Sequence, residues 1–143
     1  MRAWKEHGLR RVATLAAELV SERVPRPAAD VITYIPPDGD RSLKRGHQPA
    51  RALADALGEQ WALPVASLLV RVRPVARQTG LSRTERRRNV RGAFRAARAA
   101  VPACIVLVDD VYTTGATADA AAKALRRAGA VRVDVVTFAR ALR

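Results

Sequence analysis

The sequence predicts an α/β protein: one open, mostly parallel twisted sheet with helices on both faces. Three observations lead there. Short β-branched and apolar runs alternate with segments whose apolar residues recur at helical spacing. One run, Ile105-Val-Leu-Val, ends in Asp109-Asp110 and passes through a Thr/Gly loop into a helix, the order that sets binding loops at the carboxyl edge of a parallel sheet. The chain has 143 residues, 49% of them hydrophobic, with neither internal repeat nor linker, so one domain over 1–143 is expected.

The elements follow in order. Leu9, Val12, Ala13, Ala16, Leu19 and Val20 lie at helical spacing, and Pro25 stops that helix. Asp30 to Ile35 reads as a first strand, ended by Pro36-Pro37. Ala50, Leu53, Ala54 and Leu57 form one face of a second helix, with Trp61 a turn further on as a core residue. Val65 to Val72 reads as a second strand and Cys104 to Val108 as a third. The next helix buries Ala118, Ala121, Ala122 and Leu125, carries Lys123, Arg126 and Arg127 in its last turns, and stops at Gly129. Val131, Val133 and Val135 alternate with Arg132 and Asp134 in a last strand.

The loop after Asp110 suits a phosphorylated sugar. Gly115 permits a tight turn and close backbone approach, Ala116 keeps the cradle open, and Thr113, Thr114 and Thr117 offer hydroxyls to phosphate oxygens. The helix that follows directs its N-terminus at the same place. Asp109 and Asp110 would repel phosphate and suit ribose hydroxyls instead, directly or through Mg²⁺. Neighbours on a strand point to opposite faces, so the two acids are expected to act unequally; periodicity does not say which is nearer the sugar. A solvated strand end with an ordinary turn is the plain alternative. A nucleoside triphosphatase is excluded because no G-x-x-x-x-G-K-[ST] loop is present. A phosphoacceptor receiver domain is excluded because too little chain follows Asp110.

These residues resemble the phosphoribosyl-pyrophosphate (PRPP) loop of type I phosphoribosyltransferases. The likeness extends over Arg45-Gly46-His47-Gln48-Pro49-Ala50, over Gln78 to Phe94, and to Gly129-Ala130; in order and spacing these pieces resemble the ComF competence-protein family. Trp4-Lys5-Glu6-His7-Gly8 is similar to that family's lysine-containing N-terminal segment. Two departures stand out. His47-Gln48-Pro49 replaces the Asn-Gln pair usual after the Arg-Gly of relatives. The cysteine-rich, zinc-ribbon-like module that precedes the domain in many relatives is absent from this sequence, whose one cysteine, Cys104, reads as a core residue.

The resemblance implies a type I phosphoribosyltransferase-like fold and the following site. Asp109 and Asp110 would hold ribose, and Thr113, Thr114, Gly115, Ala116 and Thr117 the 5′-phosphate. Mg²⁺ would arrive with PRPP, Asp109 or Asp110 being available to it. Arg41, Lys44, Arg45 and Gly46, after the first strand, would face pyrophosphate. The segment from Arg71 to Arg98 holds ten arginines against one acid, Glu85. Ser82-Arg-Thr-Glu85 fits a capping box, so a short helix begins there with Arg83, Arg87 and Arg91 along one side. In transferases the equivalent loop closes over PRPP, and Gln78, Arg83, Arg87 and Asn89 are its expected contacts. Arg83 and Arg87 would stabilise the leaving pyrophosphate and so count, with the two acids, as catalytic candidates. Whether the protein is an enzyme stays open, since fold does not establish reaction. No residue pattern identifies an acceptor.

Charge supports a second reading. The formal net charge is +13, a balance that attracts polyanions, and the resemblance implies work with transforming DNA. A PRPP- or nucleotide-sensing module that binds single-stranded DNA through its arginine-rich face is thus the alternative. Arginine outnumbers lysine 23 to 3, which coding bias also produces, and aromatics are only 4%, so base readout is not expected. Competence machinery and a homodimer are further expected partners. A cytoplasmic location is expected, since no apolar run approaches the roughly 20 residues that span a bilayer and no secretory signal precedes the domain.

Overall fold

A computed structural model describes residues 2–37, 48–74, 80, 82–112 and 114–140. Helix α1 (Arg2–Arg23) leads to strand β1 (Val31–Tyr34) and helix α2 (Pro49–Trp61). Strand β2 (Leu69–Arg71), helix α3 (Arg83–Val90) and strand β3 (Phe94–Ala96) follow, then β4 (Cys104–Tyr112), helix α4 (Ala116–Arg127) and β5 (Arg132–Arg140). A parallel sheet runs β1-β4-β5 with β4 central, and β2 and β3 form a separate antiparallel ribbon. This is the open, mostly parallel arrangement the sequence predicts.

Burial on β4 alternates between the two faces, as a strand covered on both sides requires. Ile105 and Leu107 pack under Ala121, Ala122, Ala124 and Leu125 of α4 and against Phe94 of the ribbon. Val106 and Val108 pack against Leu53, Leu57 and Trp61 of α2 and Ala16 and Ala17 of α1. Each large aliphatic side chain buried there contributes about 1.5–3 kcal/mol. The last turn of α4 closes as predicted: Ala130 N–H donates to the Leu125 carbonyl and Gly129 N–H to that of Arg126, with Gly129 at φ 106°.

Two elements differ from expectation. Residues 65–72 do not make one strand. Val65 forms a single parallel bridge to Ile32, and the buried Thr33 hydroxyl then accepts the Leu68 N–H at 3.1 Å. A side chain thus takes the place of the next ladder bond, and the chain leaves the sheet to pair with β3, which periodicity had not revealed. On α1, the predicted apolar face is only partly the buried one. Ala13, Ala16 and Ala17 are buried, but Val12 is 60% exposed and Leu19 44%. Small residues let α1 lie close on α2, and the larger ones flank that contact.

The turn from α2 into the Val65 bridge demands Gly58. A Cβ there would lie 2.5 Å from Val65 Cγ2 and 3.0 Å from the Leu63 carbonyl oxygen. Alanine would gain about 1 kcal/mol of helix propensity, yet overpacking against backbone costs about 1–3 kcal/mol. Gly58→Ala is expected to lower stability by up to roughly 2 kcal/mol, read as a lower urea midpoint with unchanged slope.

Candidate functional site

β4 carries the acids past the edge of the core. Its register continues beyond the buried run, with Asp109 opposite Thr137 and Val111 opposite Ala139, so both acids lie within the strand rather than after it. Asp109 is only 9% exposed, whereas Asp110 is half-buried at the rim. Strand alternation predicts opposite faces for them, yet the two groups meet: the Asp110 side chain and its backbone N–H both hydrogen-bond the Asp109 carboxyl. The Asp110 carboxylate also accepts the Val111 N–H at 3.0 Å.

Burial dominates the chemistry of Asp109. It pushes the carboxyl from 3.8 up to about 7, aided by the hydrogen bond and negative charge of Asp110 and opposed by the cation of Arg71. Near neutrality Asp109 therefore holds a proton part of the time, and a cation placed beside it would favour its anion.

Arg71 is the site residue that sequence reasoning missed. At the end of β2 it donates from Nη2 to the Pro36 carbonyl at 3.0 Å, and its guanidinium lies 4.7 Å from the Phe94 ring centroid. It joins the exit of β1, the ribbon and the acid pair. Nothing in the sequence separates it from nine other arginines of the same segment, because its role comes from the ribbon's pairing.

After Tyr112 the chain turns into α4. Gly115 adopts φ 75°, the left-handed region that needs no Cβ, and no side chain caps the helix. The Ala116 N–H reaches the Thr114 hydroxyl at 3.4 Å. The loop thus has the tight glycine turn and helix start that the sequence predicts.

The arginine-rich segment forms α3, and its capping box is present: Glu85 N–H donates to Ser82 Oγ at 3.2 Å, and Ser82 N–H donates to Glu85 Oε2 at 2.7 Å. Val90 and, unexpectedly, Arg86 form the inner face; Arg86 is 5% exposed. The outer face carries Arg87, Arg88 and Arg91 into a cleft of about 690 Å³, whose opposite wall holds Thr114, Gly115, Ala116 and α4 as far as Arg127. Arg87 thus lines the same cleft as Thr114, Gly115 and Ala116. Asn89 is half-buried on α3 outside that lining. A groove of about 860 Å³ between α1 and α2 is larger, but it holds none of the predicted site residues.

Arg41, Lys44, Arg45, Gly46, Gln78 and Thr113 lie outside the described residues, as does the side chain of Arg83. Among the described residues no group of three or more His, Cys, Asp or Glu could hold a metal ion. The donor set at the acids is two carboxylates, which matches Mg²⁺ held largely by ligand oxygens and water rather than by a protein cage. No helix among the described residues is long and apolar enough to cross a membrane.

Comparison with known proteins agrees with this geometry. No protein-family model matches the chain. The glutamine PRPP amidotransferase of B. subtilis, solved with ADP and GMP, superposes with a TM-score of 0.61 at 28% identity over 92% of this chain and 26% of that one. The fold is that of the type I phosphoribosyltransferases. Competence protein F of Haemophilus influenzae is 31% identical over 142 residues, 96% of this chain and 62% of that protein. The DNA utilization protein YhgH of Salmonella typhi is 36% identical over 120 residues, 81% of this chain and 52% of that protein. The chain is homologous to these competence and DNA utilization proteins, has the fold of the type I phosphoribosyltransferases, and spans little more than half the length of these two relatives.

Proposed function

We propose that the β4–α4 edge binds PRPP with Mg²⁺, or a related ribose 5-phosphate, and that it transfers the phosphoribosyl group to an acceptor not yet identified. The observation that carries this reading is the coupled pair Asp109–Asp110 followed within a few residues by the glycine turn and the start of α4. Ribose hydroxyls donate to the acids, while the 5′-phosphate occupies the turn made by Thr113, Thr114, Gly115, Ala116 and Thr117. Asp109 and Asp110 would hold Mg²⁺ brought in with the ligand, and the ion would supply positive charge to offset that of the pyrophosphate. Breakage of the bond from ribose C1 to pyrophosphate leaves the electron pair on the departing oxygen and positive charge on the sugar. Arg83 and Arg87, with the segment holding Arg41, Lys44 and Arg45, are assigned to the leaving group. The acids assist by holding the sugar in place, and no general base is required for so loose a transition state.

The second reading, a ligand-sensing module that handles single-stranded DNA, is favoured by one observation: Arg87, Arg88 and Arg91 share a cleft with the phosphate turn. Calorimetric titration of PRPP in the presence of Mg²⁺ tests the first reading. Saturable binding is expected, and an acceptor screen with release of pyrophosphate as readout then separates transferase from sensor. A folded protein that shows no PRPP binding would sink the first reading.

A further inference from the structure

The cleft between α3 and α4 holds more positive charge, spread further, than one phosphate needs. Among the described residues five cations line it, Arg87, Arg88, Arg91, Lys123 and Arg127, against the single acid Asp119, which lies 2.8 Å from Lys123. At a rise of 1.5 Å per residue, Lys123 is about 10 Å and Arg127 about 16 Å along α4 from Ala116. A second phosphate joined to the first by an anhydride would stay beside the turn and reach neither. A polynucleotide carries a phosphate every ~3.4 Å along each duplex strand and more widely when stretched, so successive phosphates can meet the whole row. A cleft of about 690 Å³ suits one strand rather than a duplex. Among the described residues Phe94 is its one aromatic lining residue, and it is already buried beneath Arg71, so contact would be with the backbone and indifferent to sequence.

The sugar end sets the polarity of such a strand. In the site proposed above, acids face the C2 and C3 positions of the sugar and the turn faces its 5′-phosphate. A 5′-terminal nucleotide placed there would have its 3′-oxygen esterified, which forces a phosphodiester against Asp109 and Asp110. A 3′-terminal nucleotide presents a free hydroxyl to the acids. Its 5′-phosphate, now a diester, then leads the chain out of the turn and along the cations of α4. We propose that the pocket and cleft together take single-stranded nucleic acid by its free 3′ end, with Lys123 and Arg127 following the strand away from the sugar. This rests on the assignment of the pocket to a 5-phosphoribosyl ligand.

Fluorescence anisotropy tests it with oligothymidylates of about 15 nucleotides labelled at the 5′ end. One carries a 3′-hydroxyl and the other a 3′-phosphate; an oligouridylate pair provides the ribose counterpart. The 3′-hydroxyl strand is expected to bind at least about tenfold more tightly than the 3′-phosphate strand, the size of a lost contact to a charged group plus charge repulsion. PRPP with Mg²⁺ should displace it. Lys123→Gln with Arg127→Gln should weaken strand binding and reduce the salt slope by about two, with PRPP affinity unchanged. A further gain for the uridylate would place both hydroxyls at the acids, and equal affinity of the two sugars would place the 3′-hydroxyl alone there. Equal affinity for the two 3′ ends, or no displacement by PRPP that itself binds, would overturn the strand site and leave the pocket standing. Loss of PRPP binding with the end preference retained would overturn the pocket assignment instead.

Discussion

Asp109→Asn with Asp110→Asn is expected to weaken PRPP binding in Mg²⁺ by about a hundredfold or more, from the loss of charge-assisted contacts and of the hard oxygen donors. Two sugar hydroxyls and a cation lose charged acceptors at once, and the amides supply donors where acceptors are needed. The fold should survive. Asp109 is buried beside another acid, and burial and that neighbour both disfavour its anion. Calorimetry on the double variant, with circular dichroism to show that it is folded, reads both effects. Retained binding would mean that the sugar lies elsewhere, and with it the phosphoribosyl assignment of the β4 edge.

The second large effect is a fall in stability as pH rises through neutrality. In the unfolded chain Asp109 releases its proton near the ordinary value of about 3.9. In the folded protein it does so at about 7, because burial and Asp110 disfavour the anion. Between those values the folded state binds more protons, so stability declines with increasing pH. The contribution is fully present below the unfolded value and is lost as pH passes through 7. From pH 5 to pH 7 about two pH units at ~1.4 kcal/mol each remove roughly 3 kcal/mol, which corresponds to a drop of about 10 °C in Tm for a chain of this size. Thermal unfolding at pH 5 and pH 8.5 should show it in the wild type, whereas Asp109→Asn should flatten the profile and be the more stable protein at pH 8.5. Ligand binding carries the opposite sign: Mg²⁺ and PRPP select the ionised pair, so affinity should rise from pH 6 to pH 8 with proton release. A wild-type stability that stays level over this range would show that Asp109 ionises normally.

Particular residues mark how far the sequence reaches. The loop from Asp109 to Ala116 was legible because its requirements are local: a strand, two acids, a glycine turn and a helix start are properties of neighbouring residues. The Ser82–Glu85 cap and the buried stripe of α4 were legible for the same reason. The division of residues 65–72 was not, since no local signal separates Val65 from Leu69 and only the partners across space, Ile32 and Ala96, part them. The exposure of Val12 and Leu19 was hidden likewise, because helical spacing shows which residues share a face and not which face a neighbour covers.

By itself, the sequence determined the class of fold, the order of acids and glycine turn along one edge, and an excess of arginine suited to polyanions. Only the tertiary structure decided how those pieces act on one another. It brought Arg71 from a distant strand to the acids and buried Asp109 deeply enough to hold a proton near neutrality. It also set Arg87, Arg88 and Arg91 across a cleft from Lys123 and Arg127. The reason is physical: local geometry follows from the bonding of adjacent residues, whereas burial, charge coupling and the walls of a cleft arise between residues that only folding brings together.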